Sequence, residues 1–378
     1  MHWALPHNLP ASGIRDILNR AIRQPGTIRL ETGEPNFPPP AHVLEAYVAA
    51  SKTGHNRYTA TEGIEPLRQA IAAKSLRVNG VERSANQVLV TPGGIPGLFL
   101  AFMGTAGAGD EILVPDPGWP DYLGGMASLG IRPVFYPLAA PDYIPDLDVL
   151  TAHLSPRTRA VIVNSPGNPT GRVFPAETVQ HIVEWARSHD LWIISDEVYD
   201  QIVFEGAPAS PALWAPECTL SVYSFSKTYA MTGWRLGYLC GPVDAMESLT
   251  RVAMGTWSSV AEPLQYAGLA ALQGPQDMVD EMRAAYERRR DLARDTLSGW
   301  GLETSRPNGA FYLLARIPEG LTSRQFALEL LQEAGVAVAP GSAFGQEAEG
   351  WVRISLASSE GDLKEGLTRL GQFSAVRH

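Results

Sequence analysis

Lysine is scarce in this chain: among 30 basic residues only Lys52, Lys74, Lys227 and Lys364 are lysines, and the rest are arginines. The two cations differ in chemistry, because a guanidinium stays protonated while a buried ammonium can lose its proton and serve as nucleophile or base. Lys227 closes the run Ser224-Phe225-Ser226-Lys227, with Arg235 shortly after it. The other three lysines fall on a predicted loop or on helix faces expected to be solvated. Further groups able to do chemistry stand in Thr91-Pro92-Gly93-Gly94-Ile95, in Pro115-Asp116-Pro117-Gly118-Trp119, in Asn164-Ser165-Pro166-Gly167-Asn168-Pro169-Thr170-Gly171 and in Ser195-Asp196-Glu197-Val198-Tyr199. Each has an ordinary explanation alone, as a turn, a packing aromatic or a helix cap. Eight His residues show no ligand spacing, and Cys218 and Cys240 form no CxxC pair, so neither a metal site nor a disulfide framework is expected.

What unites these groups is the elements that carry them. Short β-branched runs predict strands at 87–90, 111–114, 132–136, 160–164, 191–195, 220–225 and 236–240, with amphipathic helices between several of them, such as 65–77 and 176–188. Continuous apolar strands alternating with helices predict an α/β fold, a large domain with a seven-stranded, mostly parallel sheet covered by helices. A long helical stretch from about Pro275 to Trp300 then leads to predicted strands at 311–316, 336–339 and 351–356 and helices near 323–333 and 360–373, a smaller α+β domain. The expected division is an N-terminal arm over 1–40 packing with the small domain, a large cofactor-binding domain over 41–280 and a small C-terminal domain over 281–378. In an open parallel sheet, ligands bind at the carboxyl ends of strands. Every cluster named above lies at such an end. Together they supply an anion cradle of backbone N–H groups, a stacking plane, hydrogen-bond donors, a carboxylate and an amine. That inventory suits pyridoxal 5'-phosphate, which needs a lysine for its Schiff base, an acid for its ring nitrogen and a phosphate pocket.

The stretch from Ser224 to Gly237, SFSKTYAMTGWRLG, resembles the lysine motif of class I/II pyridoxal-phosphate-dependent aminotransferases of fold-type I, the aspartate aminotransferase-like group. Further similar motifs are Gly33-Glu34-Pro35, Tyr58 before Gly63 and Leu67-Arg68, the Gly93-Gly94 turn, Asn168-Pro169-Thr170-Gly171, Asp196 with Tyr199, Asn308-Gly309-Ala310-Phe311-Tyr312, Pro340-Gly341 with Phe344-Gly345, and Trp351-Val352-Arg353-Ile354-Ser355. Their order and spacing agree from about residue 12 to residue 357. The resemblance implies that Lys227 carries the Schiff base and moves the substrate proton, and that Asp196 pairs with the ring nitrogen. It implies that Asn168 and Tyr199 bond the phenolic oxygen, with Trp119 stacking on the ring. It assigns the phosphate to the Gly94 and Ile95 N–H groups, Ser224 and Arg235, joined by Tyr58 of a neighbouring subunit in a homodimer with shared sites. Arg353, with Gly33 and Asn168, would hold the substrate α-carboxylate.

One departure concerns the substrate. Some aspartate-specific relatives carry a Lys after the Gly pair for the distal carboxylate, where this chain has Ile95, so an apolar or aromatic donor is at least as well served. Trp3, Trp257 and the arm around Ser12 are candidates to line that pocket. The expected activity is amino transfer between an L-amino acid and a 2-oxo acid; a fold-type I lyase or synthase shares the same motifs and stays open at this point. Gly107-Ala108-Gly109 precedes a strand instead of following one, the wrong order for a dinucleotide site. A net charge of −10 on 378 residues speaks against nucleic acid as a partner, and no apolar stretch is long enough for a membrane span. The N-terminus MHWALPHNLP lacks a basic region followed by an apolar one, so a cytoplasmic location is expected. The short stretch ahead of Gly33 leaves little room for the DNA-binding module of a regulator built on this fold.

Overall fold

The computed structural model describes residues 13–377. Its strands run in chain order as β1 (Ile28–Arg29), β2 (Val88–Thr91), β3 (Glu111–Asp116), β4 (Arg132–Pro137), β5 (Thr158–Asn164), β6 (Trp192–Asp196), β7 (Thr219–Ser224), β8 (Gly237–Cys240), β9 (Tyr312–Arg316), β10 (Val336–Ala337), β11 (Ala339–Pro340) and β12 (Trp351–Ser355). Seven of them form the large sheet, in the order β2-β8-β7-β6-β5-β3-β4. Only β8 runs against its neighbours; the β7-β6, β6-β5, β5-β3 and β3-β4 pairs are all parallel. The alternation of side chains along each strand divides the apolar residues between two faces. Ile112, Ile162, Ile194 and Val222 pack with Leu98 and Phe102 of the helix Gly94–Thr105 and with Met246 and Leu249 of the helix Val243–Thr256. Leu113, Val161, Val163 and Ile193 pack on the other side with Val179, Ile182 and Trp185 of the helix Ala176–Ser188.

The remaining strands make two small assemblies. One is an antiparallel sheet in the order β11-β12-β9, and the other pairs β1 in parallel with β10. The helix Gly13–Arg23 shares a core with them: Ile17, Ala21 and Leu30 cluster with Leu313, Val352, Leu363 and Phe373. The helix Asp277–Gly299 runs unbroken through position 280, where the sequence suggested a division.

Several element ends differ from expectation. β6 and β2 each run one residue further, to Asp196 and Thr91, because their ladders continue to Asn164 and Gly237. The expected strand over 336–339 is two short strands, and the helix from Ser323 ends at Glu329 and continues as a π turn over Leu330–Ala334. The expectation for Lys74 is corrected. It lies on the packed face of the helix Glu65–Asn79 with Leu67, Ala70 and Ile71, is only 2% exposed, and is ion-paired with Asp200. Its burial is tolerable because an opposite charge is buried beside it. Lys52 and Lys364 are exposed. Among the described residues no helix is long and apolar enough to cross a membrane.

Candidate active site

A cavity of about 350 Å³ opens at the carboxyl ends of β5, β6 and β7 and is closed on its other side by residues around β1 and β12. Lys227 enters it from the short helical turn Phe225–Thr228, which begins directly after β7 and is capped by Ser224 Oγ accepting from the Ser226 N–H at 3.1 Å. The ammonium donates to the Gly33 carbonyl at 2.5 Å. Burial lowers the Lys227 pKa to about 8, with Arg353 and Arg235 adding to the depression and Glu34 and Asp196 opposing it. Asp196, the last residue of β6, shares the cavity. Burial raises its carboxyl to about 6, against the pull of the Tyr122 hydroxyl, which donates to Oδ2 at 2.6 Å. Its Oδ1 is buried without a hydrogen-bond partner among the described residues.

At one end of the cavity the backbone forms an anion cradle. Gly93 has φ of 100°, a conformation that L side chains rarely adopt, and this turn points the first N–H groups of the helix Gly94–Thr105 at the space beside Ser224 and Arg235. A Cβ on Gly93 would collide with the Arg235 guanidinium, so the two are matched in shape. Arg235 is itself left-handed, with φ of 54°, and Nη1 donates to the Thr232 carbonyl at 2.8 Å. A non-glycine residue held in that region stores strain on the order of 1 kcal/mol, a recurrent feature of functional sites.

At the other end, Arg353 on β12 donates from Nη1 to Asn168 Oδ1 at 3.1 Å and from Nη2 to the Glu31 carbonyl. Its guanidinium lies over the Tyr312 ring at 4.3 Å and the Phe344 ring at 4.8 Å, and Nε has no partner among the described residues. Burial lowers its pKa, which leaves a cation suited to a carboxylate. Tyr199 and Tyr312 share a hydrogen bond of 2.9 Å between their hydroxyls. Gly33 must be glycine, since a Cβ there would occupy the position of the Tyr312 hydroxyl.

The cavity thus gathers Gly33, Gly94, Ile95, Trp119, Asn168, Asp196, Tyr199, Ser224, Lys227, Arg235 and Arg353. Tyr58 is not among its lining residues and is 89% exposed on this chain. Trp257 also does not line it, while Trp3 and Ser12 lie outside the described residues. Sequence reasoning missed Tyr122 and any role for Tyr312, and it gave Asn164 none beyond a strand end. Asn164 accepts the Asn168 N–H at 2.9 Å and donates to the Asp196 carbonyl at 3.0 Å, so it sets both neighbours. The arm around Ser12, expected to line the pocket, continues into the helix Gly13–Arg23, whose Ile14, Arg15 and Leu18 lie at the cavity mouth beside Asp121.

A large, mostly parallel sheet with a buried lysine, an acid and a helix N-terminus at its strand ends, completed by an arginine from a second sheet, is the arrangement of an enzyme that works on amines and anions. The chain belongs to the family described as aminotransferase class I and II, whose profile matches residues 25–370. It is 40% identical to the probable aspartate/prephenate aminotransferase of Thermus aquaticus over 91% of either chain. It is 37% identical to the LL-diaminopimelate aminotransferase of Moorella thermoacetica, covering 97% of this chain and 95% of that one. In three dimensions it matches the aspartate aminotransferase of Thermus thermophilus with maleate at a TM-score of 0.94 and 36% identity, covering 98% of this chain and all of the other. The protein is an aminotransferase, and these comparisons lend no support to the lyase or synthase alternative.

Proposed function

We propose that this aminotransferase uses pyridoxal 5'-phosphate attached at Lys227 to move amino groups between α-amino acids with apolar or aromatic side chains and 2-oxo acids. The observation that carries the cofactor reading is the buried, unpartnered Oδ1 of Asp196 in the same cavity as the Lys227 ammonium. That acceptor suits a protonated ring nitrogen, and the matched Gly93–Arg235 cradle suits a phosphate, so the residues fit the group. When bound, the cofactor supplies an electron sink that stabilises negative charge on the substrate Cα.

The chain's own residues do the rest. Lys227, whose burial favours the neutral amine, would form the attachment and, once the incoming amino group has released it, would take a proton from the substrate Cα and return it. Asp196, ionised above about pH 6, keeps a negative charge where the ring nitrogen needs one. Trp119, held edge-on against Tyr122 with centroids 5.3 Å apart, offers a fixed plane for the ring. Asn168 and Tyr199, which line the same cavity, would bond the phenolic oxygen. The Gly94 and Ile95 N–H groups, Ser224 and Arg235 hold the phosphate, with Tyr58 reaching in from the second subunit of a homodimer. The exposure of Tyr58 on the single chain supports that last reading. Arg353, Gly33 and Asn168 hold the α-carboxylate.

Ile14, Leu18, Ile95 and Trp119 supply apolar surface where the substrate side chain would extend. With Ile95 after the Gly pair, this wall suits an apolar or aromatic donor, and the cation on the same side, Arg15, faces Asp121 at the mouth. The test is to add each of the twenty amino acids, without any 2-oxo acid, to the cofactor-loaded protein and follow the visible absorbance. Aromatic and large aliphatic donors should bleach it stoichiometrically; release of ammonia with turnover in the absence of an acceptor would refute amino transfer. Lys227→Ala should lose the protein-linked chromophore and turnover together.

A further inference from the structure

Asp196 and Tyr199 belong to a stretch, Asp196 to Asp200, that presents two different sides. Asp196, Val198 and Tyr199 line the active-site cavity, whereas Glu197 and Asp200 are buried among polar partners of their own. Glu197 accepts from Ser210 Oγ at 2.7 Å and from the Tyr223 hydroxyl at 2.8 Å. Asp200 meets the Lys74 ammonium and accepts from Asn79 Nδ2 at 3.0 Å. Lys74 also donates to Asn79 Oδ1 at 2.9 Å and sits over the Tyr223 ring at 4.4 Å. The backbone joins the pieces, with Glu197 N–H donating to the Val222 carbonyl at 2.9 Å and Asp200 N–H to the Glu197 carbonyl at 3.2 Å.

The same pair reaches the lysine's side of the site. Tyr223 stacks on Tyr238, and Tyr238 meets Phe225, the first residue of the helical turn that carries Lys227. Lys74, Asp200, Phe225 and Thr228 border one small void behind that turn. A buried ion pair gains little net stability, because desolvation offsets its attraction. What it adds is direction: a charge pair with fixed hydrogen bonds has one geometry, where an apolar contact can slide.

We propose that the buried Lys74–Asp200 pair is a positioning pair for amino transfer, clamping the Asp196–Asp200 stretch from behind so that Asp196 and Tyr199 stay aligned with Lys227. The role rests on the assignment of those three residues to cofactor binding. Lys74 and Asp200 touch neither cofactor nor substrate. They act through the backbone on either side of Tyr199 and through the aromatic stack under Lys227.

The test compares Lys74→Met with the apolar double variant Lys74→Met/Asp200→Leu, both as cofactor-loaded protein. The single variant strands a buried carboxylate and should lower the melting temperature, while the double variant should recover it. In both, kcat should fall about tenfold or more with KM little changed, as expected when catalytic groups are displaced by a fraction of an ångström. The visible circular dichroism of the bound cofactor, which reports its tilt, should change in both as well. Wild-type kcat and visible dichroism in the double variant would overturn the proposal and leave the pair a stability element. If neither variant folds, Asp200→Ala, which removes both the charge and the acceptor, reads the same two quantities with the same meaning. Lys227→Ala separates this idea from the one beneath it. Persistence of the linked chromophore there would sink the cofactor assignment itself, whereas its loss beside normal Lys74 variants would sink only the positioning role.

Discussion

Lys227 and Asp196 are poised in opposite senses by one cause: burial drives the amine down to about 8 and the acid up to about 6. For the amine this makes a testable claim on stability. An unfolded lysine titrates near its ordinary value of 10.5, so between about 8 and 10.5 the unfolded chain holds more protons than the folded one. Stability therefore rises with pH across that window, and the full penalty is felt below it, at about 1.4 kcal/mol for each pH unit of depression. In protein stripped of cofactor, Lys227→Met should raise the melting temperature at pH 7, and the gain should shrink as pH climbs from 8 to 10.5. Scanning calorimetry over that range checks it; a gain that does not depend on pH would mean the amine is not desolvated. Lys74 shows how a single residue can be misread. At three residues past Ile71 and seven past Leu67 it falls on the apolar stripe of its helix, and that spacing was present in the sequence. Charge alone suggested solvent, while position along the helix pointed inward.

At the level of elements, the site depends on turns that only certain residues can make. Gly93 combines a positive φ with a close approach to Arg235, so Gly93→Ala meets backbone strain and a collision together. Holding a non-glycine residue in that region costs about 1–3 kcal/mol, and if the free loop relaxes to escape it, cofactor affinity should fall about tenfold or more. Fluorescence titration of the stripped protein with pyridoxal phosphate measures it, and unchanged affinity would remove the cradle assignment. The strands and their chemical ends were legible because short, continuous apolar runs rich in β-branched residues and Gly-Pro-Asn turns are local signals. Contacts fixed by strand order were not. Tyr122 follows β3, yet it bonds Asp196 on β6, because β5 alone separates those strands in the sheet. Nothing local in the sequence announces that β3, with β4 on one side, takes β5 as its other neighbour. The same holds for the Tyr199–Tyr312 bond, which joins the large sheet to β9.

On the scale of the whole molecule, the proposed homodimer can be tested without a structure of the pair. A Lys227→Ala subunit lacks the amine but keeps Tyr58; a Tyr58→Ala subunit has the reverse. If Tyr58 serves the neighbour's site, mixing and reassociating the two proteins should restore activity above that of either alone, because a mixed dimer contains one intact site. No recovery in a verified mixed dimer would place Tyr58 outside the neighbour's chemistry. The pairing of β1 with β10 carries a further consequence, for the making of the protein. Ile28 waits for Val336, and the Glu31 carbonyl waits for Arg353. While the chain is still emerging from the ribosome, every strand of the large sheet and its lysine can already be present, but the proposed carboxylate clamp does not exist until β12 has been synthesised. A nascent chain should therefore capture the cofactor before it can grip an amino acid, and amino transfer begins only when the last strand has arrived.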